Sequence, residues 1–469
     1  MFRNFLASIT HNKLSLAGTG IAIASLVLIV SLFAMEQIGF EGGPYLGILT
    51  YLILPMIFVL GLILIPIGSF LWRRKASRMT GGEGSPPLPI FDLNVPKTRR
   101  WLLVFLGATM VNIVILASAT YKGVEVMESV EFCGTACHAV MEPEHTAHQR
   151  SPHSRVSCAE CHIGPGADWF VKSKLDGAWQ LIAVAFDLFP RPIPTPLHDL
   201  RPARDTCEQC HWPTKFVGEK LTVTKSYEDD EMNTELTSAI LLKVGGAAGQ
   251  GKSSGIHWHV DPEVSIRYRS DETREDIYDV EFTDTDGTVK TYSDRKAPEE
   301  GGIWRFMDCV DCHNRPSHKY APPDREIDLA IRDGLIDQSL PFVKREGLRI
   351  IDAEYPSHEQ ARTTISDELH RFYAENYPEV AEESSDLVNS AAQALGDIYS
   401  VNVFPGMKVW WNTYPEHIGH ETSPGCYRCH GKKLRTADRE RISRDCDLCH
   451  TVLSDKEENP HFLSVLKSE

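Results

Sequence analysis

No cysteine in this chain stands alone. There are twelve, and each belongs to a pair followed at once by a histidine. None is left for a disulfide framework, whose spacings would scatter and would not place a histidine after every second cysteine. A zinc ribbon also uses Cys-x-x-Cys pairs but has no need of the trailing histidine. Positive charge is short too: 48 Lys and Arg stand against 64 Asp and Glu, a net charge of −16, which argues against nucleic acid as a partner. The first apolar stretch lacks a small-x-small cleavage site, so it reads as a retained anchor and not as a removable leader. With 469 residues the chain has room for several domains.

What is present is one signal repeated. Cys133-Gly-Thr-Ala-Cys137-His138 comes first, with one extra residue between its cysteines; Cys158-Ala-Glu-Cys161-His162 follows. The others are Cys207-Cys210-His211, Cys309-Cys312-His313, Cys426-Cys429-His430 and Cys446-Cys449-His450. A Cys-x-x-Cys-His run is the attachment signal for c-type haem. The two thiols form thioethers with the haem vinyl groups, and the histidine reaches the iron from one side. The expectation is six covalently bound haem c groups, with His138, His162, His211, His313, His430 and His450 as proximal ligands. The close spacing of the first two motifs, and of the last two, favours stacked or near-contact haems.

Three apolar segments precede the motifs: Leu14 to about Met35, Tyr45 to Trp72, and Trp101 to Tyr121. Each can span a hydrocarbon layer of about 30 Å. The loop between the second and third holds Arg73, Arg74, Lys75, Arg78, Lys97, Arg99 and Arg100 against Glu83 and Asp92, whereas the loop between the first and second has Glu36 and Glu41 and no Lys or Arg. Basic loops stay inside, so the N-terminus is expected in the cytoplasm and the chain emerges outside after Tyr121. Haem is attached outside the cytoplasmic membrane, so both arguments place the motifs in the periplasm of a bacterial inner-membrane protein.

Between the third and fourth motifs, about 215–305, Val264–Tyr268, Val280–Thr283 and Thr288–Tyr292 read as strands, with a turn at Asp286-Gly287. Residues 246–253 match the phosphate-loop pattern, but a strand-like run and no helix follows, so no nucleotide is expected. Asp324 to about Ser400 has helical periodicity (Ile327, Leu329, Ile331, Leu335; Ala361, Ile365, Leu369, Phe372) and no cysteine. The expected fold is mainly α, a haem-packed cytochrome with little regular structure, three N-terminal transmembrane helices and a small β insert. The expected division is 1–122 anchor, 123–320 four-haem core with its insert, 321–403 helical spacer and 404–469 two-haem segment.

The flanks of the first four motifs carry a resemblance. They read Glu131-Phe132-Cys133 with Met141; Ser151-Pro152-His153 before Cys158-Ala-Glu-Cys161-His162; Cys207-Glu-Gln-Cys210-His211-Trp-Pro; and Cys309-Val-Asp-Cys312-His313 with His318. Over about residues 101–320 the chain resembles the NapC/NirT (NrfH-like) family of membrane-anchored multihaem quinol dehydrogenases. It departs from the family in its three membrane segments, its insert and its two extra motifs, and in these it is similar to larger, ImcH-like members. The resemblance implies that Met141 is a candidate ligand of the first iron, one residue beyond the family's usual place, with His145 and His148 as rivals. It implies His153 and His318 as distal ligands. It also implies a quinol site beside the first haem, with Lys174 or Lys172 as its lysine and Asp176 or Asp187 as acidic partner.

Nineteen histidines leave a surplus beyond the motifs. His417 and His420, just before Cys426, suit the last pair of haems. His257 and His259 alternate on an expected strand, so they would face one side, and one of them suits a distal role. His198, His358, His370 and His461 read as surface histidines. The expected function is to oxidise menaquinol or another membrane quinol and to pass electrons through the haems to a periplasmic redox protein or cytochrome, in anaerobic or extracellular respiration. Two other readings stay open. One is a passive wire within a larger complex docked at the extra membrane helices. The other is a terminal reductase of a small substrate such as nitrite, which needs an open iron position.

Overall fold

The computed structural model describes residues 12–37, 49–79, 93–135, 138–164, 166–197, 201–212, 215–245, 255–284 and 286–466. Cys137, Tyr45, His198 and the glycine run 246–253 lie outside the described residues, and so does the side chain of His138. The chain divides into two units, residues 1–137 and 138–469.

In an apolar run only a helix bonds every backbone N–H within its own segment. The N-terminal unit has three helices long and apolar enough to cross a membrane: α1 (Lys13–Gln37), α2 (Leu54–Met79, entered through one π-helical turn at Leu49–Ile53) and α3 (Pro96–Met127). α1 and α2 run antiparallel and approach closely where both are small. A Cβ on Gly18 would meet the Gly61 carbonyl at 2.8 Å, and one on Gly61 would meet the Ala22 nitrogen at 2.7 Å. Ser15 Oγ donates to the Ile65 carbonyl at 2.8 Å. Small residues and a hydroxyl bond are how helices associate where the surroundings offer no hydrophobic drive. Outward side chains such as Met56, Phe70, Leu103 and Phe105 are exposed. α3 is longer than the apolar segment predicts: Pro96 suits the first helical turn, and polar residues to Met127 continue it, with Lys122 bonded to Glu125 at 2.9 Å. A short helix, α4 (Val130–Thr135), then carries Cys133, whose Sγ lies 3.8 Å from the Met127 carbonyl.

The second unit opens with short helices: α5 (His138–Gln149), α6 (Cys158–His162), α7 (Ala167–Ala185) and α8 (Ala203–Cys207). β1 (Gly218–Tyr227) and β2 (Glu235–Gly245) form a hairpin with Leu221 opposite Leu241. A 3-10 turn, Ile256–Val260, leads to β3 (Ser265–Ser270), β4 (Ile277–Thr283), β5 (Val289–Ser293) and β6 (Ile303–Phe306), arranged as an antiparallel sheet in the order β5-β4-β3-β6. The expected turn sits between β4 and β5, with Gly287 at φ 84°, where glycine costs least. The fourth motif forms α9 (Cys309–Cys312). α10 (Pro323–Arg332), α11 (Val343–Ile351), α12 (His358–Asn376), α13 (Pro378–Glu383) and α14 (Ser385–Asn402) make a helical body.

That body holds the largest apolar core of the unit. Ile327, Ile365, Leu369, Tyr373, Leu395 and Tyr399 are all 0% exposed. Leu335 is not part of it: α10 ends at Arg332, Gly334 takes a left-handed φ of 74°, and Leu335 points to solvent. The last strand, β7 (His450–Glu457), joins the insert by pairing with β2, Ile240 opposite Val452. The insert and the C-terminal segment thus share a sheet, although β2 ends at Gly245 and β7 begins only at His450.

Candidate functional site

The motifs owe their shape to a single helical turn. Cysteines three residues apart on a turn face the same way, and the histidine that follows closes it. His211 N bonds the Cys207 carbonyl at 2.8 Å, His313 N the Cys309 carbonyl at 2.8 Å and His430 N the Cys426 carbonyl at 2.9 Å. Side-chain caps start three of these turns: Ser157 accepts from Glu160 N, Asp308 with Asp311 forms a reciprocal capping box, and Asp445 accepts from Asp447 N.

The second to sixth motifs lie in chain order. Cys161 is near enough to Cys207 to act on it electrostatically, and the same holds for Cys207 with Cys309, Cys312 with Cys426 and Cys426 with Cys449. The residues between the cysteines tie neighbouring motifs together. Asp311 of the fourth motif accepts from Tyr268 Oη and, at 3.0 Å, from Arg274 Nη1. Arg428 of the fifth donates to the Asp311 carbonyl and, at 2.6 Å, to the Arg274 carbonyl.

Each motif histidine of this series faces a second imidazole. A metal–nitrogen bond of about 2 Å on each side, with about 1 Å more to each ring centre, places trans imidazoles about 6 Å apart. The observed centroid separations are 6.2 Å for His162–His318, 6.0 Å for His211–His153, 6.4 Å for His313–His257, 5.8 Å for His430–His259 and 6.1 Å for His450–His420. Backbone carbonyls fix the tautomer in five of these rings. Nδ1 of His318 donates to Glu144 O (3.1 Å), of His153 to Pro316 O (3.2 Å), of His257 to Val244 O (2.9 Å), of His259 to Ile256 O (2.8 Å) and of His430 to Ser443 O (2.6 Å). A proton held on Nδ1 leaves Nε2 with its lone pair, the state a metal needs. Burial pushes His318 down to about 4 and also lowers His162, His259 and His313, so these rings are neutral at pH 7.

A haem at each pair fits these residues. Buried polar atoms with no protein partner, including Thr206 Oγ1, Arg274 Nε and His450 Nδ1, occur among the described residues in the motif-bearing region and not in the helical body. Buried polar groups are normally bonded, so these individual atoms set the motif region apart from the helical body.

Other candidates fall elsewhere. His417 is buried, with Nε2 2.7 Å from Glu275 Oε1, and among the described residues it faces no motif histidine. His148 bonds the Val156 carbonyl at 3.0 Å and lies 6.4 Å from the ring of His318. His145 lies 3.1 Å from the Gln149 side chain, and Met141 is half-buried on α5. His257 and His259 sit not on a strand but in the 3-10 turn that follows Gly255, whose φ is 83°. At about three residues per turn two such rings leave in different directions, which alternation on a strand would forbid. His358 and His370 bond into the helical body. Tyr427, stacked on His420 at 4.4 Å, and Glu275 gave no signal in the sequence. The partner of Glu275 comes from a distant segment.

Lys172 and Lys174 sit on α7, their Nζ atoms 5.2 Å over the Trp169 ring and 4.7 Å over the Phe170 ring. Asp176 is exposed on the same helix, and Asp187 is ion-paired with Arg191 at 2.5 Å. Val171, Leu175, Trp179, Ile182 and Phe186, at helical spacing, are 47–72% exposed, so α7 presents an apolar stripe beside its lysines.

The family model of the NapC/NirT cytochrome c family, N-terminal region, matches residues 95–190. The cytochrome c-type protein ImcH of Geobacter sulfurreducens is 45% identical over 454 residues, covering 96% of this chain and 89% of its own. No solved structure matches the chain.

Proposed function

The chain belongs to the NapC/NirT cytochrome c family, and from that premise we propose that it oxidises a membrane quinol, menaquinol in the first instance, at α7 and passes the electrons along six haems to a periplasmic redox protein. It is a membrane-anchored electron-transfer cytochrome with covalently bound haem c. In this reading the N-terminus is cytoplasmic and residues 138–469 are periplasmic. Bound haem supplies one-electron chemistry, each iron cycling between ferric and ferrous.

The observation that carries the quinol reading is α7. A helix with an exposed apolar stripe and lysines beside it suits the boundary between lipid and water, and quinol is confined to the lipid. Lys174 orients the quinol oxygen by donating to it. Each quinol loses two electrons and two protons as it becomes the quinone. Bound haem would accept the electrons one at a time, and Asp176 and water would take the protons. Asp187 is engaged by Arg191 in an ion pair.

The residues of the motif series then set the path. Cysteines of successive motifs influence one another electrostatically from the second to the sixth, and the second imidazole facing each of these five motif histidines would occupy the remaining ligand position of a haem held there. That weighs against a terminal reductase of a small substrate. Purified oxidised protein mixed anaerobically with a menaquinol analogue tests the reading through haem absorbance. Rapid reduction is expected in the wild type, slowed by about tenfold or more in Lys174→Ala, the loss of roughly one charge-assisted hydrogen bond. Reduction by dithionite but not by quinol would refute it and leave a passive wire.

A further inference from the structure

We propose that the 3-10 turn Ile256–Val260 supplies the distal ligands of two neighbouring haems at once, His257 to the iron of the Cys309–Cys312–His313 motif and His259 to that of the Cys426–Cys429–His430 motif. The proposal rests on the haem reading of the motifs but not on quinol oxidation.

Three independent features converge on the turn. The first is distance: the His257 ring lies 6.4 Å from that of His313 and the His259 ring 5.8 Å from that of His430. The second is the tautomer. Carbonyls of Val244 and Ile256 hold Nδ1 of the two rings, so each presents Nε2 to its motif. The third is direction. In a 3-10 turn side chains step by about 120°, so residues 257 and 259 diverge while Trp258 leaves on a third side. Trp258 packs on Phe282 of β4 at 5.3 Å and on His259 at 5.6 Å, which pins the turn to the sheet.

The two irons so joined belong to adjacent motifs, already tied by Arg428 to the Asp311 carbonyl and by the closeness of Cys312 to Cys426. The β insert therefore gains a function. It carries the joint between the first four motifs and the last two, holding both distal ligands on one rigid turn so that the two haems keep a fixed separation.

The ring planes give each ligand its own signature. His257 and His313 are nearly parallel, at 7°, whereas His259 and His430 are crossed, at 85°. Parallel imidazoles give ferric low-spin iron a rhombic electron paramagnetic resonance spectrum. Crossed ones give a broad signal with a single large g value. The test uses the full-length haem-loaded protein. His257→Ala is expected to remove one rhombic low-spin component and His259→Ala one large-g component, each replaced by one high-spin equivalent. Haem content should stay constant by alkaline pyridine assay, and added imidazole should restore each signal. His370→Gln, in the helical body, should change nothing.

If either single alanine variant keeps all its low-spin components, the proposal is overturned. It is also overturned if one variant loses both components together and imidazole restores neither, because the turn would then be a scaffold and not a ligand pair. Mass spectrometry of the wild-type peptides around Cys309 and Cys426 separates the two levels. Peptides without haem would sink the underlying reading, whereas haem-bearing peptides with unchanged variant spectra would sink only the assignment of the turn.

Discussion

The second unit holds two regions of opposite construction. Residues 323–403 bury aliphatic and aromatic side chains against one another: Ile336, Val343, Ile351, Ile365, Leu369 and Leu395 are 0% exposed. The motif-bearing parts on either side bury little of this kind. Val140, Ala147, Tyr320, Phe404, Met407, Val409 and Tyr414 form one small cluster, and Tyr268, Ile277, Val280 and Leu434 another. The difference shows what each region relies on. The helical body carries its own core, whose burial contributes about 25 cal/mol per Å² of apolar surface. The motif region has only these small apolar clusters and sets a second imidazole against its motif histidines, so its order is expected to depend on covalently bound haem.

This contrast can be broken most severely by withholding haem. Chain made without haem attachment is expected to lose order in 138–320 and 404–457 and to keep the helical body. Limited proteolysis with mass spectrometry should show cleavage in the motif region accelerated by about tenfold or more, the effect of an opening free energy lowered by at least about 1.4 kcal/mol. Equal cleavage in both regions would dissolve the contrast. A cavity in the helical body tests the other side. Leu369→Ala in the haem-loaded protein should cost about 2–5 kcal/mol in urea denaturation of the body, with the haem spectrum unaltered at zero denaturant. A shifted haem spectrum would mean that the two regions share one core. The smallest effect is expected at the start of α12, where the Ser357 side chain accepts from Gln360 N. Ser357→Ala should lower stability by about 1 kcal/mol, seen as a lower urea midpoint with an unchanged slope.

Much of this molecule could be read from local sequence. The three apolar helices follow from run length. α12 follows from the spacing of Ala361, Ile365 and Leu369, all buried, and the β4–β5 turn from Asp286-Gly287. Where the reading failed, a glycine turn or a distant partner had decided. Leu335 continues the periodicity on paper but lies beyond a glycine that ends its helix. His257 and His259 alternate like strand residues, yet Gly255 and the Val244 carbonyl bend them into a turn. β7 had no signal, because its partner β2 comes from the insert.

The sequence by itself determined what depends on neighbours in the chain: the paired-cysteine motifs, the histidine that follows each of them, and the apolar spans. Each of these is a property of a few consecutive residues or of one period. Only the tertiary structure decided which spare histidine meets which motif. His153 meets a motif histidine more than fifty residues later, His318 one that lies far earlier, and His417 meets a glutamate instead. The reason is that a separation of about 6 Å between two imidazoles on remote segments is fixed only when the chain has folded.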